Sequence, residues 1–559
     1  MPYKSRYPDI DIPKCNILSY VFPESEKPST KPVWIDAANP DNSLSPAQML
    51  SWVKRFAVGL DNLGVPKHRA VMVYSPNHLY VSMAYLAAAG SCRMFTGANP
   101  TYTANEVAHQ IKTIEAALLF VHPDLLDNGV KAAKQAGLPL SSVYQFSATE
   151  QPPSPDGVMD WRTMAASSAA SHSWTWDPLT GTPSTKTICC VNFSSGTTGL
   201  PKGVCITHHN LIANSSQAIY NKYHGTDRTP DNPDPDERWL AMLPLYHAYS
   251  QLFTINIAGK LKIPVYIMSK FVFEDFLACI EKYKITTLQT VPPVIIMLSK
   301  RPETQKYNLT SVKHIFCGAA PLKSELQNDV SRKLGCVIGQ GWGMTETTCA
   351  GILTPGFVND DTGSIGWLLP NTEAKLIDEE GKEVTGDGAR GELLLRGPQI
   401  MLGYWKREDA TKESIDAEGW FRSGDVALLE DREQGQRWWI VDRMKELIKV
   451  RGLQVAPAEL EAVLLGHPEV ADAAVGGMTV DGDEYPRAYV VLQQGAKVTE
   501  VEVQKFVAER VARHKQLTGG VAFIEEVPKL PSGKIVRKLM REWAKRDAQE
   551  FGGGAKAKM

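Results

Sequence analysis

The run from Phe193 to Val204, FSSGTTGLPKGV, constrains this chain more than any other segment. It places three glycines, four hydroxyl side chains and one lysine directly behind an apolar run, Ile188 to Val191. Glycines let a backbone turn tightly and bring its N–H groups against an anion, while hydroxyls add donors and Lys202 adds a mobile positive charge. That chemistry suits a polyphosphate. The spacing is not that of a Walker loop, because Pro201 stands five residues after Gly196 and Lys202 is followed by Gly203 rather than Ser or Thr.

A chain of 559 residues is too long for one ordinary core, so at least two domains are expected. Lys plus Arg number 60 against 62 for Asp plus Glu, which argues against a field built for nucleic acid or an anionic membrane. None of the nine cysteines forms a CxxC pair, and several lie in apolar runs. They read as reduced, buried thiols in an intracellular protein, with no zinc site and no disulfide framework. No stretch approaches the roughly 18 apolar residues of a bilayer span, and the N-terminal MPYKSRYPDIDIPKCN lacks the apolar region of a secretory signal. After three glycines the chain ends in Ala557-Lys558-Met559, a variant of the small–basic–Leu peroxisomal address. Peroxisomal import through the receptor for that address is therefore expected, with the cytoplasm as the alternative.

Strand-like and helix-like runs alternate. Arg69 to Tyr74 reads as a buried strand, Asn77 to Ala88 as a helix, and a further apolar stretch follows near Met94. The rhythm returns at Ala117 to Val121, Ile188 to Val191, Ala241 to Leu243, Thr287 to Val291 and His314 to Cys317. This predicts an α/β fold, with largely parallel sheets flanked by helices. After Gly363, short alternating strands separated by Glu380-Gly381 and Gly386-Asp387-Gly388 predict a small antiparallel β subdomain. Beyond Trp438 to Lys445, a helix from Pro457 to Gly466, a strand from Ala488 to Leu492 and a capping-box pair at Thr499 and Glu502 predict a small α+β domain. The expected division is a large N-terminal domain, 1–442, hinged to a C-terminal domain, 443–559. Exposed loops are expected at Pro152 to Pro155, Ala165 to Ser173 and Thr229 to Asp236. His208 and His209 are expected to cap the helix after the phosphate loop.

Further segments fit one chemistry. Leu243 to Tyr249 (LPLYHAY) puts His247 at the end of an apolar strand, and Gly318 to Leu322 (GAAPL) follows another. Gln340 to Thr347 (QGWGMTET) combines glycines, an aromatic, a hydroxyl and a carboxylate. Gly419 to Val426 (GWFRSGDV), Val441 to Glu459 (VDRMKELIKVRGLQVAPAE) and Pro531 to Lys534 (PSGK) complete the set. In this order and spacing, from about residue 45 to about residue 540, the chain resembles the adenylate-forming superfamily of acyl-CoA synthetases, luciferases and nonribosomal adenylation domains. Within it the chain is similar to the 4-coumarate–CoA ligase branch.

The resemblance implies an ATP-, Mg²⁺- and coenzyme A-dependent acid–thiol ligase with a hinged C-terminal domain. Ser194, Ser195, Gly196, Thr197, Thr198, Gly199 and Lys202 would hold the β- and γ-phosphates of ATP. Thr345 would bond the α-phosphate, and Glu346 would hold Mg²⁺. Gly318, Ala319 and Ala320 would wall the adenine site, beside Gln340, Gly341, Trp342, Gly343 and Met344. Asp425 and Arg443 would meet the ribose. Lys445 would be the hinge, Lys449 and Gln454 would face the nucleotide at the domain joint, and Gly452 would line the CoA channel. Lys534 would neutralise charge as carboxylate and α-phosphate approach. His247 would lie between phosphate site and acyl pocket, shaping both.

Trp342 departs from the pattern, since tyrosine is usual there; an indole still stacks on adenine but is bulkier toward the acyl pocket. Pocket candidates are Tyr246, Tyr249, Ser250, Gly318, Gly341, Trp342, Met344 and the region 291–295. The mixture fits an aryl acid (hydroxycinnamate, phenylacetate) or a medium-chain fatty acid. The alternatives are a luciferase-like or stand-alone adenylation enzyme, and a nucleotide-binding pseudoenzyme. A nonribosomal domain would be expected to carry a carrier domain beyond Lys534.

Overall fold

The helix Leu79–Gly90 (LYVSMAYLAAAG) carries no charge and is buried on nearly every side. A helix apolar all round has to sit inside a protein. Its side chains share one core with Phe95, Cys190 and Ile206 of one sheet and with Trp34, Trp239 and Val265 of another. The fold of the large domain follows from that sandwiching. The computed structural model describes residues 2–555 except 195–200, 357, 379, 433–434, 444–445, 451–452, 481–482 and 531–532, with backbone alone at 443, 453–454 and 550–555.

The first sheet has eight strands, parallel around Ala70–Tyr74, Met94–Ala98 and Ala116–Val121. Toward one edge it turns antiparallel: Ile188–Ser194 pairs with Lys202–Thr207, and Ser194 stands opposite Lys202. The phosphate-loop sequence, expected to leave its strand at Phe193, therefore begins inside a hairpin. The second sheet has nine strands. Trp34–Asp36, Val265–Ile267, Trp239–Ala241, Thr287–Thr290, His314–Cys317 and Val337–Trp342 run parallel through it. Crevices form beyond the carboxyl ends of such strands. His247, Gly318 and Thr345 all follow those ends.

The predicted β subdomain is an antiparallel sheet of Glu373–Ile377, Arg390–Arg396, Phe421–Glu430 and Arg437–Arg443. One edge is closed by Tyr3–Lys4, which pairs with Glu373 and Ala374. Ser5 fixes the join, donating from Oγ to the Leu368 carbonyl at 2.9 Å.

The six-stranded sheet ends at Arg443, and Ile448 already belongs to the core of the C-terminal module. That module carries Val470–Val480, Asp483–Leu492 and Val521–Phe523 under the helices Pro457–Leu465, Glu500–Ala508 and Arg537–Ala555. Pro457 opens its helix and Thr499 forms a capping box with Glu502, as their spacing predicts. Arg537 is pinned between Glu446 at 3.0 Å and Glu461 at 2.5 Å, and donates to the Val475 carbonyl at 2.9 Å.

Two local expectations change. Ser167 caps a short helix, Ser168–Ser171, inside the segment expected to be a loop. The helix His208–Tyr223 is capped by Thr207 in a box with Asn210, because Thr207 holds the extended position before the first turn while His208 already lies within the helix. His208 turns inward instead and accepts the Ile17 N–H at 3.0 Å.

Candidate active site

A cavity with about 590 Å³ of open space lies where the strand ends of the second sheet meet the C-terminal module. Among the described residues, His247, Thr345 and Lys534 bring polar side chains to it. Tyr249, Phe253, Phe316 and Leu353 give it apolar walls, and Gly318, Ala319, Gly341 and Ala350 leave room between them. Lys534 is carried on a turn in which the Leu530 carbonyl accepts from Gly533 and Leu530 N–H donates to the Lys534 carbonyl. Gly533 packs against Pro293 and Val291, so the loop is seated on the large domain.

His247 begins a short helix, and the Tyr249 N–H donates to its Nδ1 at 3.3 Å. Burial, reinforced by the nearby Lys534 charge, pushes the imidazole down to about 3. It is neutral at neutral pH. Tyr249 donates its hydroxyl to the Phe316 carbonyl at 3.0 Å and stands edge-on to Phe253. Behind that pair is a smaller hollow too tight for a water molecule, and it is this hollow that Ser250 lines, with Thr254 and Gln289. Tyr246 lines neither space; it packs against Gly97.

The QGWGMTET segment runs from a strand into a tight turn. A Cβ on Gly343 would stand 1.6 Å from the Cys349 carbonyl oxygen, so only glycine fits. Ala319, on the facing wall, holds φ +70°, sparsely populated for a residue with a side chain. Gln340 is buried behind the cavity and donates to the Leu322 carbonyl and to Gln327 Oε1, both at 2.8 Å. Gln340 and Ala320 are not among the lining residues, whereas Trp342, Gly343 and Met344 are. Trp342 Nε1–H donates to Asp425 Oδ2 at 2.8 Å.

Glu346 is buried and accepts the Tyr404 hydroxyl at 3.0 Å, while its carbonyl accepts the Met401 N–H at 2.8 Å. The Lys202 ammonium lies 4.8 Å from the centroid of the same Tyr404 ring. Trp405 N–H donates to the Gly203 carbonyl at 2.7 Å, so residues 401–405 join the phosphate-loop hairpin to the carboxylate. Sequence reasoning missed Tyr404; the only signal is the aromatic pair in Gly403 to Lys406 (GYWK). Among the described residues no three His, Cys, Asp or Glu side chains cluster as a metal site. A single oriented carboxylate fits Mg²⁺, which keeps most of its ligands as water and phosphate oxygens.

Arg443 stands opposite Asp425 across two strands, and Gln454 opposite Lys449 in a hairpin. Lys449 is exposed, its N–H donating to Glu484 Oε2 at 2.5 Å, and does not line the cavity. Ser195, Gly196, Thr197, Thr198, Gly199, Lys445, Gly452 and Ala557 to Met559 lie outside the described residues, as do the side chains of Arg443 and Gln454. No disulfide links the nine cysteines. Cys317 and Cys349 line the cavity, and burial pushes the Cys349 thiol up to about 12. No described helix is long and apolar enough to cross a membrane.

The AMP-binding enzyme family matches residues 24–405, and the AMP-binding enzyme C-terminal domain matches residues 459–534. The chain is 36% identical to a phenylacetyl-CoA ligase of Aspergillus niger, over 96% of this chain and 98% of that one. It is 34% identical to 4-coumarate–CoA ligase 1 of Arabidopsis thaliana, over 96% and 94%. ATP-bound MatB of Rhodopseudomonas palustris superposes with a TM-score of 0.81 at 25% identity, over 95% and 99%. The luciferase-like, stand-alone and pseudoenzyme alternatives are not favoured by these relatives. The chain belongs to the AMP-binding enzyme family and is an adenylate-forming acyl-CoA synthetase of the 4-coumarate–CoA ligase-like branch.

Proposed function

We propose that the acid this ligase activates is an aryl acid of the phenylacetate or hydroxycinnamate type. The observation that carries this reading is the cavity beside Lys534, with aromatic walls at Tyr249, Phe253 and Phe316 and small residues at Gly318, Ala319 and Gly341. That combination sets aromatic walls beside small residues that leave room for a ring. A medium-chain fatty acid would meet the same apolar walls, and only about 1–3 kcal/mol separates ligands that differ by a methylene in such a pocket.

In the first half-reaction a carboxylate oxygen bonds to the α-phosphorus of ATP and the bond to pyrophosphate breaks. Lys534 and Thr345 neutralise and orient the crowded oxygens, and neutral His247 divides acid from phosphate without adding charge. Glu346, steadied by Tyr404, would hold Mg²⁺, which offsets phosphate charge when bound. Lys202 and the hydroxyls of residues 194–198 would take the β- and γ-phosphates. Asp425, with Arg443, would hold the ribose. In the second half-reaction the C-terminal module turns about Lys445, withdraws Lys534 and brings Lys449, Gln454 and Gly452 to the nucleotide and CoA channel. The CoA sulfur then bonds to the acyl carbon and AMP leaves.

Pyrophosphate release measured over phenylacetate, hydroxycinnamates and C6–C12 fatty acids, with and without CoA, tests the reading. Aryl acids are expected to have the highest kcat/KM; a clear preference for the fatty acids overturns the aryl assignment.

We also propose that Ala557-Lys558-Met559 directs peroxisomal import. A fluorescent fusion that is punctate with these residues and diffuse without them supports this, and equal distributions overturn it.

A further inference from the structure

Trp342 has two neighbours that a stacking role alone does not require. Its indole N–H donates to Asp425 Oδ2 at 2.8 Å, with the tryptophan 8% and the aspartate 4% exposed. Its six-membered ring lies over Gly351, where a Cβ would stand 2.9 Å from Cζ3 and 3.2 Å from Cε3 of the indole and 3.1 Å from Leu395 Cδ2. Gly351 N–H also donates to the Trp342 carbonyl at 3.0 Å, so both residues are fixed in one hairpin. The missing side chain at residue 351 is thus the space that lets the indole reach the aspartate.

The backbone of Asp425 is separately fixed. Its N–H donates to Ser423 Oγ at 3.0 Å, and that hydroxyl donates to the Leu393 carbonyl at 2.6 Å. The indole N–H then acts on the carboxylate itself. A hydrogen bond to a buried carboxylate is among the stronger ones, and it sets the direction in which the carboxylate oxygens point.

We propose that Trp342 is a positioning residue: its N–H holds the Asp425 carboxylate in the orientation that receives the nucleotide's ribose hydroxyls. This inference rests on the reading of Asp425 as the ribose carboxylate. Phenylalanine at this position retains an aromatic face for the base and removes the donor. The positioning role is thereby separable from stacking.

The test is a double-mutant cycle on equilibrium binding of AMP and 3′-deoxy-AMP, measured by calorimetry without acid or CoA, in wild type, Trp342→Phe, Asp425→Asn and the double variant. Trp342→Phe is expected to weaken AMP about tenfold. It should narrow the gap between AMP and 3′-deoxy-AMP, and it should cost less than about twofold in the Asp425→Asn background. Gly351→Ala, which pushes the indole off the carboxylate, is expected to reproduce the loss and covers the case in which Trp342→Phe does not fold. If the tryptophan and aspartate effects simply multiply, the indole acts on the base alone and the positioning role is overturned while the ribose assignment stands. If Asp425→Asn binds AMP like wild type, the ribose assignment fails and the inference goes with it.

Discussion

Lys300 donates to the Val470 carbonyl at 2.7 Å, and to the Leu465 carbonyl at 2.9 Å, joining the end of helix Pro292–Lys300 to the C-terminal module. Burial lowers the lysine pKa and Asp472 opposes that shift, so the charge is held by the contact it makes. The contact is made in the same arrangement that places Lys534 in the cavity. Lys300→Met is expected to slow acyl-adenylate formation about tenfold, the scale of a lost charged hydrogen bond, and to leave thioester formation from supplied acyl-adenylate within about twofold. Separate half-reaction assays check it; equal losses in both would sink the assignment.

Lys534→Ala removes the ammonium from the cavity that it shares with His247 and Thr345. Adenylation is expected to fall by about 10²-fold or more, by comparison with other charge-stabilising donors, while thioesterification of a supplied adenylate persists. Isotopic exchange of pyrophosphate into ATP reads the first step directly.

Tyr404→Phe deletes the hydroxyl that Glu346 accepts at 3.0 Å but keeps the ring under Lys202. The expected result is an increase of about tenfold in the Mg²⁺ concentration for half-maximal rate, with little change in KM for the acid. A magnesium titration at saturating ATP decides it. An unchanged magnesium requirement would place Glu346 outside the metal's reach.

Arg537→Met leaves the buried carboxylates of Glu446 and Glu461 without their shared cation. Breaking a buried pair in this way costs about 3–5 kcal/mol. The C-terminal module should then unfold first, read as early protease cleavage between 437 and 460 and a lowered first thermal transition.

Burial pushes both His78 and His208 down to about 3, against an ordinary value near 6.5. Between those values the unfolded chain binds protons that the folded chain refuses. Stability therefore falls as pH drops below about 6.5, with a slope approaching two protons from this pair. Denaturant midpoints measured between pH 7 and 5 should show it, and His78→Leu should remove about one proton from the slope.

Much of the fold was legible because its signals are local. Periodicity marked Ala70–Tyr74, Leu79–Gly90 and His314–Cys317 to within a few residues, and Pro457 and Thr499 announced their helices. Lys534, His247 and Thr345 were legible because each sits in a short motif, and the structure brings all three to one cavity. The contacts that join one motif to another were not. Tyr404 reaches Glu346 across 58 positions and Trp342 reaches Asp425 across 83, distances at which no local pattern records a pairing. Ser250 faces the smaller hollow, at the start of a π-helical run, Gln251–Ile257, whose wide turn an ordinary helical period does not anticipate.

Ser5 is stitched to Leu368, 363 positions later, and Tyr3–Lys4 borders a sheet whose other strands come from the last third of the large domain. Residues 3–5 must therefore wait until the strands that follow Leu368 have been made before they find their place. Such long-range closure is slow, so this sheet is expected to be the last part of the large domain to become protected during synthesis.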